Sequence, residues 1–295
     1  MRLFRTISVL LCLAAVLSLA LFIFGRHGER GTVDFARQTP GVEMHDVTFR
    51  SASLQREMTY RVYLPAQIGS RQKFPAVYLL HGNDGSFRDW SNHSSVVECA
   101  ARGLILVMPE GNSSYYMNAA EKPQDKYEDY LIHDLIGDVE SRFPAKSGRA
   151  NRAVVGVSMG GFAAVTLALR HPELFLFAGA ISPAIDVPER RLTWRRAGQW
   201  WGFRSIFGPW GSAERQARDP FVLARWADPR TAPYIYLTAG KQEPLLAPVQ
   251  RFVELLQMRG IAHEFHTKPG GHDWVEWDQQ IPGCFGKLLG VLGKP

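Results

Sequence analysis

From residue 42 onward the chain alternates short apolar runs with stretches of helical composition. Val42 to Phe49 and Met58 to Leu64 place apolar and polar residues at period two, which predicts an antiparallel strand pair. The runs 75–80, 104–108, 153–157, 176–181 and 234–237 lack that alternation and are rich in Val, Ile, Leu and Ala. That is the pattern of strands buried on both faces. Helices are predicted near 92–102, 125–142, 159–170 and 246–259, and a last strand at Ala262–Thr267 precedes a C-terminal helix from about Gln279. Strand–helix alternation of this kind predicts an α/β protein with a mostly parallel central sheet and helices on both faces. No internal repeat or low-complexity tract breaks it.

One stretch does break the alternation. Between the sixth and seventh strands, at about 186–232, lies an insert rich in Trp and Arg, including Arg190, Trp194, Trp200, Trp201, Phe203, Arg204, Phe207 and Trp210. This is where a cap over an active site would be placed. Two readings of its aromatics stand side by side: a lid whose Trp194, Trp200 and Trp201 bind substrate, or an amphipathic cap that buries them. The arginines read as solvated charges more than as an anion-binding set.

The N-terminus reads as a targeting segment. Met1 to Arg5 is basic, and residues 7–24 form an uncharged run of 18 residues ahead of Gly25–Arg30. That is long for the apolar part of a secretory signal and short for a membrane span. Bulky Phe22-Ile23-Phe24 stands where a cleavage site would need small residues, which favours an uncleaved signal anchor, with 7–24 as a candidate membrane tether, over a cleaved signal peptide. Residues 1–30 thus read as a leader, 31–40 as a linker and 41–295 as the α/β domain. The expected location is extracytoplasmic: periplasmic or cell-surface, membrane-anchored or secreted.

Composition adds exclusions. Hydrophobic content of 46% with 21% charged residues excludes disorder. Half of the +6 net charge comes from the leader, and the rest is too mild to argue for nucleic acid. Cys99 and Cys284 fall on helices covering one face of the sheet, so either a disulfide or, more simply, two buried thiols is expected.

The decisive motif is Gly156-Val157-Ser158-Met159-Gly160. It ends a buried strand and opens an Ala- and Leu-rich helix, the context in which G-x-S-x-G exposes a nucleophilic serine on a sharp turn. A serine hydroxyl needs a base within hydrogen-bond reach. His272, in the loop Pro269-Gly270-Gly271-His272-Asp273-Trp274 after the last strand, has the right position and follows the serine in the chain. His263 and His266 fall on the strand itself, and no partner spacing supports a metal site there. The orienting carboxylate should leave the seventh strand, which offers Glu243, with Asp186 after the sixth strand as runner-up. Asp273 is too close to the histidine to reach its far nitrogen. The oxyanion donors are expected to be the backbone N–H of Met159, at the helix start, and that of Asn83, in His81-Gly82-Asn83-Asp84-Gly85.

Leu79-Leu80-His81-Gly82 with Trp90, Pro109-Glu110-Gly111 with Ser114-Tyr115-Tyr116, Gly156 to Gly161, Asp219-Pro220-Phe221 and Gly270 to Trp274 fall in family order. Together they resemble the esterase D-like branch of the α/β-hydrolases, which holds feruloyl and acetyl-xylan esterases, S-formylglutathione hydrolases and mycolyltransferases. The resemblance covers roughly residues 42–292. It implies the α/β-hydrolase fold, a nucleophilic Ser158 and oxyanion donors at Asn83 and Met159. Glu243 departs from it, since most relatives have Asp, and its extra methylene requires the loop to sit further back.

The expected activity is that of an exported serine carboxylic-ester hydrolase with a Ser-His-Glu triad, acting on a small-molecule or carbohydrate ester without metal or organic cofactor. The alternatives are an acyltransferase of the mycolyltransferase type, passing an acyl group to a sugar hydroxyl, and a non-catalytic binding module on the same fold. The acyl and alcohol parts of the substrate are not legible in the sequence.

Overall fold

The computed structural model describes residues 34–66, 72–190 and 197–293, without the side chains of 197–201. The predicted leader and its tether, residues 7–24, lie outside the described residues. Among the described residues no helix is long and apolar enough to cross a membrane. The chain divides into two units, Met1–Phe35 and Ala36–Pro295.

Eight strands form one sheet in the order β1-β2-β4-β3-β5-β6-β7-β8. β1 (Val42–Ser51) and β2 (Arg56–Pro65) are the predicted antiparallel pair, and β2 also runs antiparallel to β4 (Ile105–Pro109). From β4 onward every pairing is parallel, through β3 (Ala76–Leu80), β5 (Arg152–Val157), β6 (Phe177–Ile181), β7 (Tyr234–Gly240) and β8 (His263–Lys268). β3, β5 and β6 are buried along their whole length, which is why their sequences show no polar alternation. In a parallel sheet the carboxyl ends of the strands share one edge, and loops leaving that edge converge. The loops after β3, β5, β7 and β8 are those carrying Asn83, Ser158, Glu243 and His272.

Two apolar layers cover the sheet. One lies beneath the helices Met159–Arg170 and Leu246–Arg259 and a long helical segment that runs α (Tyr127–Asp129), π (Tyr130–Leu135) and α (Ile136–Arg142). The other lies beneath the 3₁₀ turns of Ser95–Arg102 and the C-terminal helix Ile281–Leu292. Cys99 and Cys284 belong to this second layer and are both free thiols. Burial pushes the Cys99 thiol up to about 11 and the Cys284 thiol higher still, so both are held protonated.

The insert stands between β6 and β7 as expected, built from the helices Ala197–Phe207, Ala213–Gln216 and Pro220–Trp226. Its described aromatics divide: Phe207 is fully buried, whereas Trp210 and Trp226 face solvent. Its described arginines are not simply solvated. Arg190 pairs with Asp186 and Arg204 with Glu121. Arg215 is buried and donates to the carbonyls of Gly208 and Pro188. They bind the cap to itself and to the body: Arg215 supplies the donors that buried carbonyls need, while the Arg190 and Arg204 pairs lie nearer the surface. Asp219, from the Asp-Pro-Phe motif, caps the last cap helix by accepting the Phe221 N–H at 2.9 Å.

Candidate active site

Ser158 lies between β5 and the helix Met159–Arg170 with φ 53° and ψ −112°. Such a conformation costs a non-glycine residue on the order of 1–3 kcal/mol and persists only where its surroundings enforce it. Here the Ser158 N–H donates to Ile181 and its carbonyl accepts from Phe162 and Ala184. The turn is tight because its glycines allow it. A Cβ on Gly156 would fall 2.2 Å from the Gly160 carbonyl, and one on Gly160 would fall 2.2 Å from the Leu80 carbonyl oxygen.

The loops after β7 and β8 complete a row of hydrogen bonds. His272 Nε2 stands 2.9 Å from Ser158 Oγ, and His272 Nδ1 stands 2.8 Å from Glu243 Oε2. The second Glu243 oxygen accepts the Gly240 N–H at 2.8 Å, and the Glu243 side chain is fully shielded from solvent. A carboxylate on Nδ1 fixes the tautomer that carries its proton there. Nε2 is then free to accept the serine hydroxyl proton. A buried carboxylate must keep its acceptors occupied, and Gly240 and His272 occupy one oxygen each.

The row opens onto a cavity of about 420 Å3 lined by Gly82, Asn83, Ser158, His272, Trp274 and Trp277 together with the carboxylates Asp84, Asp89 and Asp273. The Trp277 ring meets the His272 imidazole edge-on, 4.9 Å between centroids, which limits the rotation of the imidazole. Trp274 packs against both Trp277 and Trp90. Burial pushes the Asp89 carboxyl above its usual range, against the opposing pull of His81.

Asn83 is exposed at the cavity wall, and Met159 is the first residue of its helix, where a backbone N–H has no carbonyl one turn back to bond. His81, just ahead of the oxyanion loop, is completely buried. Its Nδ1 donates to the Gly82 carbonyl at 2.7 Å and its Nε2 accepts the Gly111 N–H at 3.0 Å. Burial pulls the His81 pKa down, the Glu110 carboxylate pushes it up, and the net direction is upward.

The structure therefore brings Ser158, His272 and Asn83 to one cavity, with Glu243 buried behind the histidine and Met159 next to the serine at the helix start. Asp186 stands apart from the row, its carboxylate engaged with Arg190 at 2.7 Å. Asp273 instead caps the following short helix, accepting the Glu276 N–H. His263 and His266 lie on or beside β8 with carbonyl and glutamate partners. Among the described residues no cluster of His, Cys, Asp and Glu could hold a metal ion. Trp194 lies outside the described residues, as do the side chains of Trp200 and Trp201. Among the described aromatics, Trp274 and Trp277 line the cavity. Their spacing of three, directly after the histidine loop, is the signal for one face of a short helix, Trp274–Asp278.

The family model for esterases matches residues 51–288. The chain belongs to the Esterase family. This esterase is 25% identical over 257 residues to the acetyl esterase of Caldicellulosiruptor saccharolyticus, covering 81% of this chain and 95% of the relative. It is 26% identical over 304 residues to the diacylglycerol acyltransferase/mycolyltransferase Ag85B of Mycobacterium avium, covering 92% and 90% respectively. Among solved structures, an S-formylglutathione hydrolase from Agrobacterium tumefaciens shares the fold, with a TM-score of 0.77 at 20% identity over 88% of this chain and 98% of that one. The fold is that of the α/β-hydrolases, and the protein is a carboxylic ester hydrolase.

Proposed function

We propose that this esterase works through an acyl-enzyme on Ser158. The observation that carries the reading is the unbroken row Ser158–His272–Glu243, at 2.9 and 2.8 Å, opening onto a cavity. Ser158 Oγ attacks the ester carbonyl as its proton passes to His272 Nε2. Glu243 remains ionised and stabilises the imidazolium. The N–H groups of Asn83 and Met159 bind the oxyanion, each worth about 3 kcal/mol of barrier. Collapse of the tetrahedral intermediate expels the alcohol, which takes the proton from His272. Water then repeats the sequence, its proton going to His272, and the acid leaves as Ser158 Oγ takes that proton back.

The substrate we propose is a small-molecule or carbohydrate ester. A second reading, transfer of the acyl group to a sugar hydroxyl, is favoured by the likeness to a protein named as an acyltransferase and mycolyltransferase. Both use the same acyl-enzyme and differ in which acceptor reaches it. An intact hydrogen-bonded row on an enforced turn leaves no reason to favour a non-catalytic binding module. The basic, then apolar, N-terminus supports export, with residues 7–24 as signal or tether.

The test is turnover of short-chain, aryl and sugar esters with and without an added sugar alcohol. Release of free acid at a rate indifferent to the sugar supports the hydrolase. Acylated sugar at the expense of free acid supports the transferase. No turnover of any ester by the folded protein contradicts both. Fractionation of cells expressing the full chain tests export: catalytic activity confined to the cytoplasm contradicts it.

A further inference from the structure

Two neighbouring tyrosines carry a backbone conformation that bulky side chains rarely adopt. Tyr115 and Tyr116 have φ of 55° and 54°, and Asn112 just before them has 44°. Left-handed backbone at consecutive aromatics persists only where the surroundings require both side chains to point where they do.

Tyr116 points toward the oxyanion loop. Its hydroxyl accepts the His81 N–H at 3.0 Å, its ring covers Gly111 so closely that a Cβ there would sit 2.2 Å from it, and it is fully buried. Gly111 in turn donates to His81 Nε2, so Gly111, His81 and Tyr116 close a ring of contacts one residue ahead of Gly82-Asn83. Ser114 holds the turn, its hydroxyl donating to the Gly111 carbonyl and accepting the Tyr116 N–H.

Tyr115 points the other way. Its ring meets Phe162 of the helix behind Ser158 at 5.6 Å, and Phe203 and Phe207 of the cap helix at 5.8 and 5.3 Å. Further along the same segment, the N–H groups of Ala120 and Glu121 donate to the cap carbonyls of Ile206 and Ser205. One stretch of chain is thus fastened to the cap at one end and to the oxyanion loop at the other.

We propose that Tyr115 and Tyr116 are positioning residues for the reaction: Tyr116 sets the oxyanion loop through the His81 amide, and Tyr115 makes that setting depend on the cap helix Ala197–Phe207. The inference rests on Asn83 serving as an oxyanion donor in the function proposed above. Its consequence is that packing beneath the cap tunes turnover without touching the triad. An oxyanion donor acts by geometry, and a small displacement of such a group lowers rate more than ground-state binding.

The test is steady-state hydrolysis of a chromogenic acetate by wild type, Tyr116→Phe, Phe203→Leu and the double variant. It is joined by inhibition with a trifluoromethyl ketone, whose serine adduct carries the oxyanion. Tyr116→Phe should lower kcat roughly ten- to hundredfold with KM within about twofold, and weaken the ketone by the same factor as kcat. Phe203→Leu should lower kcat less, and the double variant should lose less than the product of the two single losses. Ser114→Ala, at a half-buried site, provides the same kcat-selective loss by loosening the turn and serves should Tyr116→Phe not fold.

Wild-type kcat in folded Tyr116→Phe or Ser114→Ala, or a loss appearing in KM instead, overturns the role of Tyr116. Losses that simply multiply in the double variant overturn the link to the cap. A wild type inert toward every ester sinks the functional reading itself, an outcome distinct from an active wild type with indifferent variants.

Discussion

Glu243 accepts the Gly240 amide at 2.8 Å through one carboxylate oxygen and presents the other to His272 at 2.8 Å. The acid of the row is therefore braced from the end of the strand it leaves. The extra methylene of glutamate is accommodated by a loop that turns back over Gly240 before reaching position 243.

That bracing predicts the behaviour of acid variants. Glu243→Gln keeps the shape but removes the charge that stabilises the imidazolium, and kcat should fall on the order of 10²–10⁴-fold. Glu243→Asp keeps the charge, falls short by one methylene, and should cost roughly tenfold or more. Asp186→Asn, in the ion pair with Arg190, should leave kcat within about twofold. Steady-state kinetics of the three variants checks this, and a larger loss in Asp186→Asn than in Glu243→Gln would reassign the acid.

Gly240 also sets the distance between the acid loop and the histidine loop. A Cβ there would lie 2.4 Å from the Gly270 carbonyl oxygen and 2.8 Å from that of Gly271, both backbone atoms. Gly240→Ala must therefore push the loop carrying His272 away from Ser158, although no reacting group is changed. The expected result is a loss of kcat/KM of roughly 100-fold in a protein that still folds, because a displacement of about 1 Å in the base is that costly. Near-normal kcat/KM would mean that the loop yields without moving the imidazole.

The strand pattern was almost wholly legible in the sequence, because burial on both faces forces unbroken apolar runs in β3, β5 and β6; the polar break in β2 is Arg61, which is buried and paired with Asp46. Ser158, His272 and Glu243 were legible for a related reason: each stands directly after a strand on the shared edge of the sheet. What local sequence could not convey was contact between distant segments. The pairing of Arg204 with Glu121, and the hold of Tyr116 on His81, depend on how the insert and the 111–121 segment fold onto the body. That Trp274 and Trp277 line the cavity was equally hidden, since an aromatic pair does not by itself show which pocket it faces.

Asp219 offers a prediction about pH. Burial is the main cause that pushes its carboxyl from the usual 3.8 up to about 6. The folded protein thus binds this proton more tightly than the unfolded chain does. Stability must then fall as pH rises from about 4 to 6, and the penalty stays constant above that. Asn retains a side-chain acceptor for the Phe221 N–H without the charge. Asp219→Asn should therefore be more stable than wild type at pH 8 by roughly 2 kcal/mol, an advantage that shrinks between pH 6 and 4 and vanishes below. Denaturant unfolding of both proteins across this range measures it, and a difference independent of pH would show that Asp219 is ionised at no cost.

The central claim is that Ser158 is an activated nucleophile. Its most direct test is reaction of the folded protein with a fluorophosphonate, followed by mass spectrometry of the modified peptide, alongside Ser158→Ala. One phosphonyl group per chain is expected, located on Ser158, and none on the variant. A folded wild type that takes up no label, or a label on another residue that persists in Ser158→Ala, would contradict it.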